Sequence, residues 1–188
     1  MKGGRPFRRN LGAAMAALLF VAVIVMTSLP AFWRQVYPIH YFPEIERGAR
    51  LAHIDPLLVA SIARVESHFR EDDISHAGAV GLMQLLPATA LWCARQMGIP
   101  PSRVRDLSQP AINAQLGAWY MAYLLRQFKG RLPEAVAAYN AGPHRVSAWL
   151  QSGVWSGNQV TAEDIPIPET RHFVLRVMYT YRVFHRFY

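Results

Sequence analysis

The chain has 188 residues and a mass of 21.3 kDa, which is enough for one ordinary domain. Its content of 52% hydrophobic and 17% charged residues excludes a disordered polymer, and its single cysteine, Cys93, excludes an intramolecular disulfide framework and a cysteine-based zinc site. The net charge of +8 points at first to nucleic acid. However, five basic residues and no acidic ones lie in the first 37 positions, which leaves 15 basic against 12 acidic side chains in the remainder. We therefore expect no nucleic-acid partner.

The amino-terminal segment is predicted to be a membrane anchor. Residues 11–33 carry no charge and are mostly apolar, and at about 1.5 Å per residue a helix of this length crosses a bilayer core of about 30 Å. Four cations precede the run, so the positive-inside rule assigns residues 1–10 to the cytoplasm and residues 35–188 to the external side of the inner membrane. The alternative is a cleaved signal peptide, although no clear Ala-x-Ala cleavage site follows the run.

From residue 38 onward the hydrophobic pattern is helical, with no convincing strand-like alternation. Asp55-Pro56 is typical of an N-cap followed by proline at the first helical position, and Gly98 and Gly142 are typical of helix ends. The predicted helices cover residues 43–53, 56–66, 87–97, 110–128, 133–140 and 169–188. There is no internal repeat, so residues 38–188 are predicted to form one compact, mainly helical domain.

Some conspicuous side chains on these helices are interpreted as ordinary packing. Cys93 has apolar neighbours and is predicted to be buried. The last helix alternates aromatic residues with arginines, among them Arg176, which indicates a core face and a solvated basic face. The seven histidines show no ligand spacing, so we expect no metal and no cofactor.

Glu66 is the one carboxylate in an unexpected position. At about 100° per residue it projects close to Val59 and Ile62, within the apolar stripe of the helix that Pro56 opens and near the end of that helix. Burial and the negative end of the helix dipole both disfavour its charged form, so the pKa of Glu66 is predicted to be raised. A carboxyl that stays protonated near neutral pH is what a glycosidic general acid requires.

Three sequence blocks then carry a family resemblance. They are Glu66-Ser67 followed by Ser75-His76-Ala77-Gly78-Ala79-Val80-Gly81-Leu82-Met83-Gln84-Leu85-Leu86-Pro87-Ala88-Thr89-Ala90, then Ala138-Tyr139-Asn140-Ala141-Gly142, and then Ile165-Pro166-Ile167-Pro168-Glu169-Thr170-Arg171. Together they resemble the soluble lytic transglycosylase family of the lysozyme-like superfamily, over roughly residues 40–188. The resemblance implies an α+β, mainly helical lysozyme-like fold whose cleft binds the glycan strands of peptidoglycan.

The resemblance also implies roles for individual residues. Glu66 would be the single acid/base that cleaves the bond between N-acetylmuramic acid and N-acetylglucosamine and leaves a 1,6-anhydromuramoyl end. Tyr139 would hold Glu66 through its hydroxyl, and Ser75 would bond the substrate N-acetyl group or the surroundings of Glu66. The remaining predicted substrate-binding residues are Met83, Gln84, Thr89, Asn140 and Glu169, the last with bracing of the final helix as an equal alternative.

Two alternatives to this activity remain open at the level of sequence. A muramidase would hydrolyse the same bond with water, but it requires a second carboxylate, and the nearest candidates, Glu71, Asp72 and Asp73, are interpreted as a solvated run. The other alternative is a membrane-tethered assembly factor that opens the wall for a cell-envelope secretion or pilus machine.

Overall fold

The computed structural model describes the backbone of residues 5–188 and the side chains from residue 11 onward. The described part contains nine α-helices and divides into two compact units, one of residues up to Pro38 with Arg186–Tyr188 and one of Ile39–His185. The helices are α1 (Arg5–Ser28), α2 (Pro30–Val36), α3 (Phe42–Ala52), α4 (Pro56–Ser67), α5 (Pro87–Gln96), α6 (Pro110–Gln127), α7 (Leu132–Ala141), α8 (Pro143–Gln151) and α9 (Pro168–Phe187).

The first unit differs from the single anchor helix predicted over residues 11–33. The chain is extended at Leu29 (ψ 128°) and α2 begins at Pro30, because a proline lacks the backbone N–H and disfavours helical geometry in the residue before it. Leu11–Ser28 remains long and apolar enough to cross a membrane, a test that an amino-terminal signal sequence also meets. The predicted cytoplasmic segment, residues 1–10, lies partly outside the described residues.

The second unit is built around α6, which packs against α3, α5 and α7. The approach of α3 to α6 depends on Gly48, since a Cβ at that position would lie 2.9 Å from the carbonyl oxygen of Ala114. Cys93 is fully buried, as predicted. Phe173, Val177 and Phe184 of α9 are buried too, which confirms the predicted core face of the last helix.

The predicted helices of this unit are confirmed with boundaries within about two residues, but α8 is an addition. Helix α7 ends at Ala141, Gly142 follows at φ 86°, and α8 begins at Pro143. The Gly142-Pro143 pair that predicted the end of one helix therefore also begins the next. Short 3₁₀ helices at Pro101–Val104 and Ala162–Asp164 were likewise not predicted. Within residues 5–188, β structure is limited to isolated bridges that join Ile74 to Val80 and Val80 to Leu85.

Candidate active site

Helix α4 positions Glu66 in its last turn. The side chain of Asp55 accepts a hydrogen bond from the backbone nitrogen of Leu57 at 2.8 Å and caps the start of the helix. His68 and Phe69 both have positive φ and end the helix sharply. The hydroxyl of Ser67 donates to the carbonyl oxygen of Leu82 at 2.9 Å, which ties the end of α4 to the following loop. Glu66 is therefore held on a rigid element and is half-buried.

The electrostatic surroundings of Glu66 favour its protonated form. Burial is the main cause and the charge of Glu169 the second, and together they raise the pKa of Glu66 from 4.5 to about 8, against an opposing effect of Arg176. The raised pKa predicted from the apolar stripe is confirmed in direction. The contributions of Glu169 and Arg176, both on α9, are additions that the sequence did not reveal.

The loop between α4 and α5 presents Ser75 and Gln84. Ser75 Oγ accepts from the backbone nitrogen of Ala79 at 3.0 Å, which closes a tight turn. Gln84 lies in the left-handed region (φ 46°), and its Nε2 donates to the carbonyl oxygens of Asp73 at 3.0 Å and Gly81 at 3.1 Å. Because both Nε2 hydrogens are donated to backbone carbonyl oxygens, Gln84 can offer a ligand only its acceptor, Oε1.

A buried asparagine, Asn113 of α6, holds this loop in place. Its Nδ2 donates to the carbonyl oxygens of Val80 and Leu107, both at 2.8 Å, and its Oδ1 accepts from the backbone nitrogen of Met83 at 2.8 Å. A side chain at Gly81 would collide with Asn113, so the glycine permits this close approach. Asn113 was missed from the sequence, although a polar residue on an apolar helix face is the same signal that pointed to Glu66.

Glu66 opens onto a cavity of about 390 Å³, called here the glutamate cavity. Seven of the eight predicted site residues line it: Glu66, Ser75, Gln84, Thr89, Tyr139, Asn140 and Glu169. Tyr120 of α6 lines it as well and was not predicted. The three sequence blocks, separated by up to about 100 residues of chain, therefore meet at one site. Their roles toward a ligand stay predictions.

Met83 is the exception among the predicted residues. Its side chain is fully buried against α6, where even a Cβ at Gly117 would collide with its sulfur, so it packs in the core instead of lining a sugar site. Tyr139 also differs from expectation, because its hydroxyl donates to the carbonyl oxygen of Met83 at 2.9 Å instead of to Glu66. Burial, followed by the nearby charge of Glu66, raises the pKa of Tyr139 well above its usual range.

Asn140 is fixed from the other side of the cavity. Thr170 Oγ1 donates to Asn140 Oδ1 at 2.6 Å, so the amide hydrogens of Asn140 remain available to a ligand. The glutamate cavity thus combines a protonated carboxyl, amide donors and acceptors, hydroxyls and an aromatic ring. That inventory suits a neutral ligand rich in hydroxyl and acetamide groups.

A second cavity of about 340 Å³ adjoins the first and is called here the Arg176 lobe. Glu66, Asn140 and Glu169 line both cavities, while His172 and Arg176 line the second. Arg176 is exposed, as predicted for the basic face of α9, and it also lines this lobe, which was not predicted. Glu66 therefore lies at the junction of the two lobes.

Other charged groups have different surroundings. Of the carboxylates after Glu66, Asp73 pairs with Arg70 at 3.1 Å, and neither Glu71 nor Asp72 lines the glutamate cavity, so Glu169 is the second carboxylate there. In the part of the chain that the structure describes, no group of three or more His, Cys, Asp or Glu side chains is arranged to hold a metal ion. Another cavity, of about 650 Å³, lies between α3, α6 and the 3₁₀ helix Pro101–Val104 and is lined by none of the predicted site residues.

The fold and the cavity together define a lysozyme-like helical domain whose cleft surrounds one protonated carboxyl group. The chain belongs to the Transglycosylase SLT domain family, which matches residues 44–160. It is 36% identical over 144 residues to the soluble lytic murein transglycosylase of Salmonella typhimurium (76% of this chain, 22% of that protein). It is 29% identical over 159 residues to a membrane-bound lytic murein transglycosylase C of Haemophilus influenzae (73% and 44%).

Solved structures agree with this assignment. The 70 kDa soluble lytic transglycosylase of Escherichia coli superposes with a TM-score of 0.75 at 32% identity (83% of this chain, 26% of that one). An inactive glutamate-to-glutamine mutant of the lytic transglycosylase Slt of Pseudomonas aeruginosa superposes with a TM-score of 0.72 at 35% identity (79% and 24%). The chain spans about a quarter of the length of these soluble relatives.

Proposed function

We propose that this chain is a lytic transglycosylase that cleaves the β-1,4 bond between N-acetylmuramic acid and N-acetylglucosamine in peptidoglycan. The observation that carries the proposal is the half-buried Glu66, whose pKa of about 8 keeps it protonated at neutral pH at the junction of two lobes. The relatives named above are lytic murein transglycosylases. A similar solved structure is the complex of a 70-kDa soluble lytic transglycosylase with bulgecin A, so that transglycosylase has a ligand-binding site.

In the first step Glu66 acts as general acid. Its proton passes to the oxygen between the two sugars, and the bond from that oxygen to the anomeric carbon of the muramoyl residue breaks. The amide and hydroxyl groups of Gln84, Asn140 and Ser75 would orient the sugars in this step. The positive charge that develops at the anomeric carbon lies near the new Glu66 carboxylate, which stabilises it.

In the second step Glu66 acts as general base. The C6 hydroxyl of the muramoyl residue attacks the anomeric carbon, and its proton passes to the Glu66 carboxylate, which restores the acid. The products are a free C4 hydroxyl on the leaving sugar and a 1,6-anhydro ring, so no water is consumed. A raised pKa serves both steps, because it makes the acid available near pH 7 and makes its carboxylate a stronger base.

The test is digestion of purified peptidoglycan by the whole chain in mild detergent, with mass analysis of the fragments. We expect fragments one water lighter than those of a hydrolase, with no new reducing ends. Glu66→Gln should abolish release, and Glu163→Gln is the matched control because Glu163 is largely exposed (73%) and lines neither lobe. Fragments with reducing ends and no anhydro ring would contradict the proposal.

Glu169 favours the hydrolytic alternative enough to test it separately. It lines both lobes together with Glu66, so the cleft contains the second carboxylate that a hydrolase requires in addition to its general acid. A transglycosylase should keep forming anhydro products in Glu169→Gln, at an altered rate. Loss of all cleavage in Glu169→Gln, combined with reducing ends in the unaltered chain, would identify a muramidase.

We further propose that Leu11–Ser28 anchors the chain in the inner membrane with residues 38–188 on the external side. The length and apolar composition of α1, the basic residues that precede the apolar run and the match to a relative described as membrane-bound support this orientation. Membrane fractions should contain a chain that still has its first residues. Recovery of a shortened chain in the aqueous fraction would instead identify a cleaved signal.

An assembly role beside a cell-envelope machine is compatible with the same anchor. It would be favoured if the assembly phenotype of a cell survived Glu66→Gln.

A further inference from the structure

Three aromatic side chains on α5 and α6 form a partly exposed cluster that the proposed chemistry does not use. They are Trp92, Trp119 and Tyr123, called here the aromatic ridge. The ring of Trp92 lies 5.5 Å from that of Trp119 and 5.0 Å from that of Tyr123, and the rings of Trp119 and Tyr123 stack at 5.9 Å with 12° between their planes. Each ring supports the others, so the ridge is a firm surface.

The aromatic ridge is continuous with the glutamate cavity. Tyr120 lines the cavity, and its ring lies 6.2 Å from Trp92 and 6.4 Å from Tyr123. On α5, Thr89 lines the cavity and Trp92 follows it by three residues, which places both on one side of the helix. A chain-like ligand that leaves the cavity past Tyr120 and Thr89 meets the ridge next.

The polar edges of the ridge are unused. The indole nitrogens of Trp92 and Trp119 and the hydroxyl of Tyr123 make no hydrogen bond to any residue from 5 to 188. Aromatic residues with a free donor at the edge combine an apolar face with a polar handle. The faces of sugar rings have the complementary character, with C–H groups on the face and hydroxyl or acetamide groups around the rim.

We propose that the aromatic ridge binds the glycan strand of peptidoglycan outside the glutamate cavity and so extends the substrate site along the polymer. This rests on the proposed function for the identity of the polymer. A cavity of about 390 Å³ has the size of a site for one small molecule. A polysaccharide continues beyond it, and an apolar surface next to a cleft is typical of a binding site. The ridge consequently distinguishes long strands from short fragments.

The experiment measures binding in the whole chain with Glu66→Gln, in mild detergent, so that no turnover interferes. The probes are peptide-free glycan strands of many disaccharides and the isolated disaccharide. Added to this parent, Trp119→Ala should weaken binding of long strands about tenfold, the effect of losing one aromatic contact, and should weaken disaccharide binding much less. Trp119→Phe should restore most of the affinity, because it keeps the ring face.

Trp149→Ala is the matched control. Trp149 is a partly exposed tryptophan of α8 that lines neither lobe and makes no ring contact with the ridge, so both probes should bind as to the parent. Circular dichroism of each variant checks folding, and Tyr123→Leu provides a second ridge variant if Trp119→Ala does not fold. Equal affinity of parent and ridge variants for long strands overturns the proposal. So does an equal loss of affinity for both probes.

The outcome is separable from that of the proposed function, because cleavage is measured independently in the unaltered chain. If binding depends on the ridge but the unaltered chain does not cleave peptidoglycan, the ridge proposal is supported and the proposed enzyme activity is contradicted. If the chain cleaves peptidoglycan but binding does not depend on the ridge, the activity is supported and the ridge proposal is contradicted.

Discussion

Replacing Glu66 by glutamine should stabilise the fold while it abolishes catalysis. The unfolded chain loses the Glu66 proton near pH 4.5, whereas burial and Glu169 hold the pKa of Glu66 at about 8 in the folded chain. Between these two values the folded state binds a proton that the unfolded state has released, so the free energy of unfolding falls as the pH rises. Below pH 4.5 and above pH 8 this contribution is constant. Glutamine is a neutral substitute for the protonated acid and removes the dependence.

The magnitude follows from the two values. At about 1.36 kcal/mol per pH unit, the interval from 4.5 to pH 7 corresponds to a cost of about 3.4 kcal/mol, and the full interval to about 4.8 kcal/mol above pH 8. Solvent reaches the half-buried carboxyl and screens it, so we expect about half of each value. Glu66→Gln should therefore be more stable than the unaltered chain by about 2 kcal/mol at pH 7.

The assay is guanidinium unfolding of the whole chain in mild detergent, followed by tryptophan fluorescence at pH 4, 7 and 9. The gain from Glu66→Gln should be close to zero at pH 4 and should increase to pH 9. Glu163→Gln, at a largely exposed site, should change stability by less than about 0.5 kcal/mol. A gain that does not depend on pH, or a loss at pH 9, would refute the assignment of a raised pKa to Glu66.

Four further outcomes are expected. Glu169→Gln removes a neighbouring negative charge, so the pKa of Glu66 should fall and the alkaline limb of the pH–activity profile should move to lower pH. Arg176→Gln removes the opposing positive charge, so the same limb should move to higher pH. Asn113→Ala removes three hydrogen bonds made by a fully buried side chain and should lower the unfolding free energy by about 3 kcal/mol in denaturant titrations. Asp55→Ala should lower it by at least about 1 kcal/mol, because it removes the α4 cap together with the contacts of Asp55 Oδ2 to Tyr181 at 2.8 Å and His185 at 2.7 Å; an unchanged midpoint would show that these contacts are dispensable.

The local sequence was sufficient to predict most of the helices and the position of Glu66 within an apolar helix face. Proline at the first helical position and glycine near the ends mark boundaries through backbone geometry, which neighbouring residues determine. The position of Glu66 within an apolar stripe likewise follows from helical periodicity alone. Helix α8 was not predicted, because Gly142-Pro143 is compatible both with the end of one helix and with the start of the next, and the local sequence does not distinguish the two.

The remainder of the site depended on contacts between distant parts of the chain. Met83 and Gln84 are neighbours in sequence, but Met83 is buried whereas Gln84 faces the cavity. The packing of Met83 on Gly117 and the positive φ of Gln84 decide this difference. The contributions of Glu169 and Arg176 to the pKa of Glu66 require that α9 and α4 line the same cavity, although the two glutamates lie over 100 residues apart in sequence.

The sequence by itself determined that a mainly helical domain carries an acid, Glu66, within the apolar stripe of a helix, because periodicity and capping are local properties. Only the tertiary structure decided how strongly that acid holds its proton and which side chains it faces, because burial and Coulomb interactions depend on distances that no local pattern encodes. The same holds for the aromatic ridge, whose three rings come from two helices and meet only when α5 packs on α6.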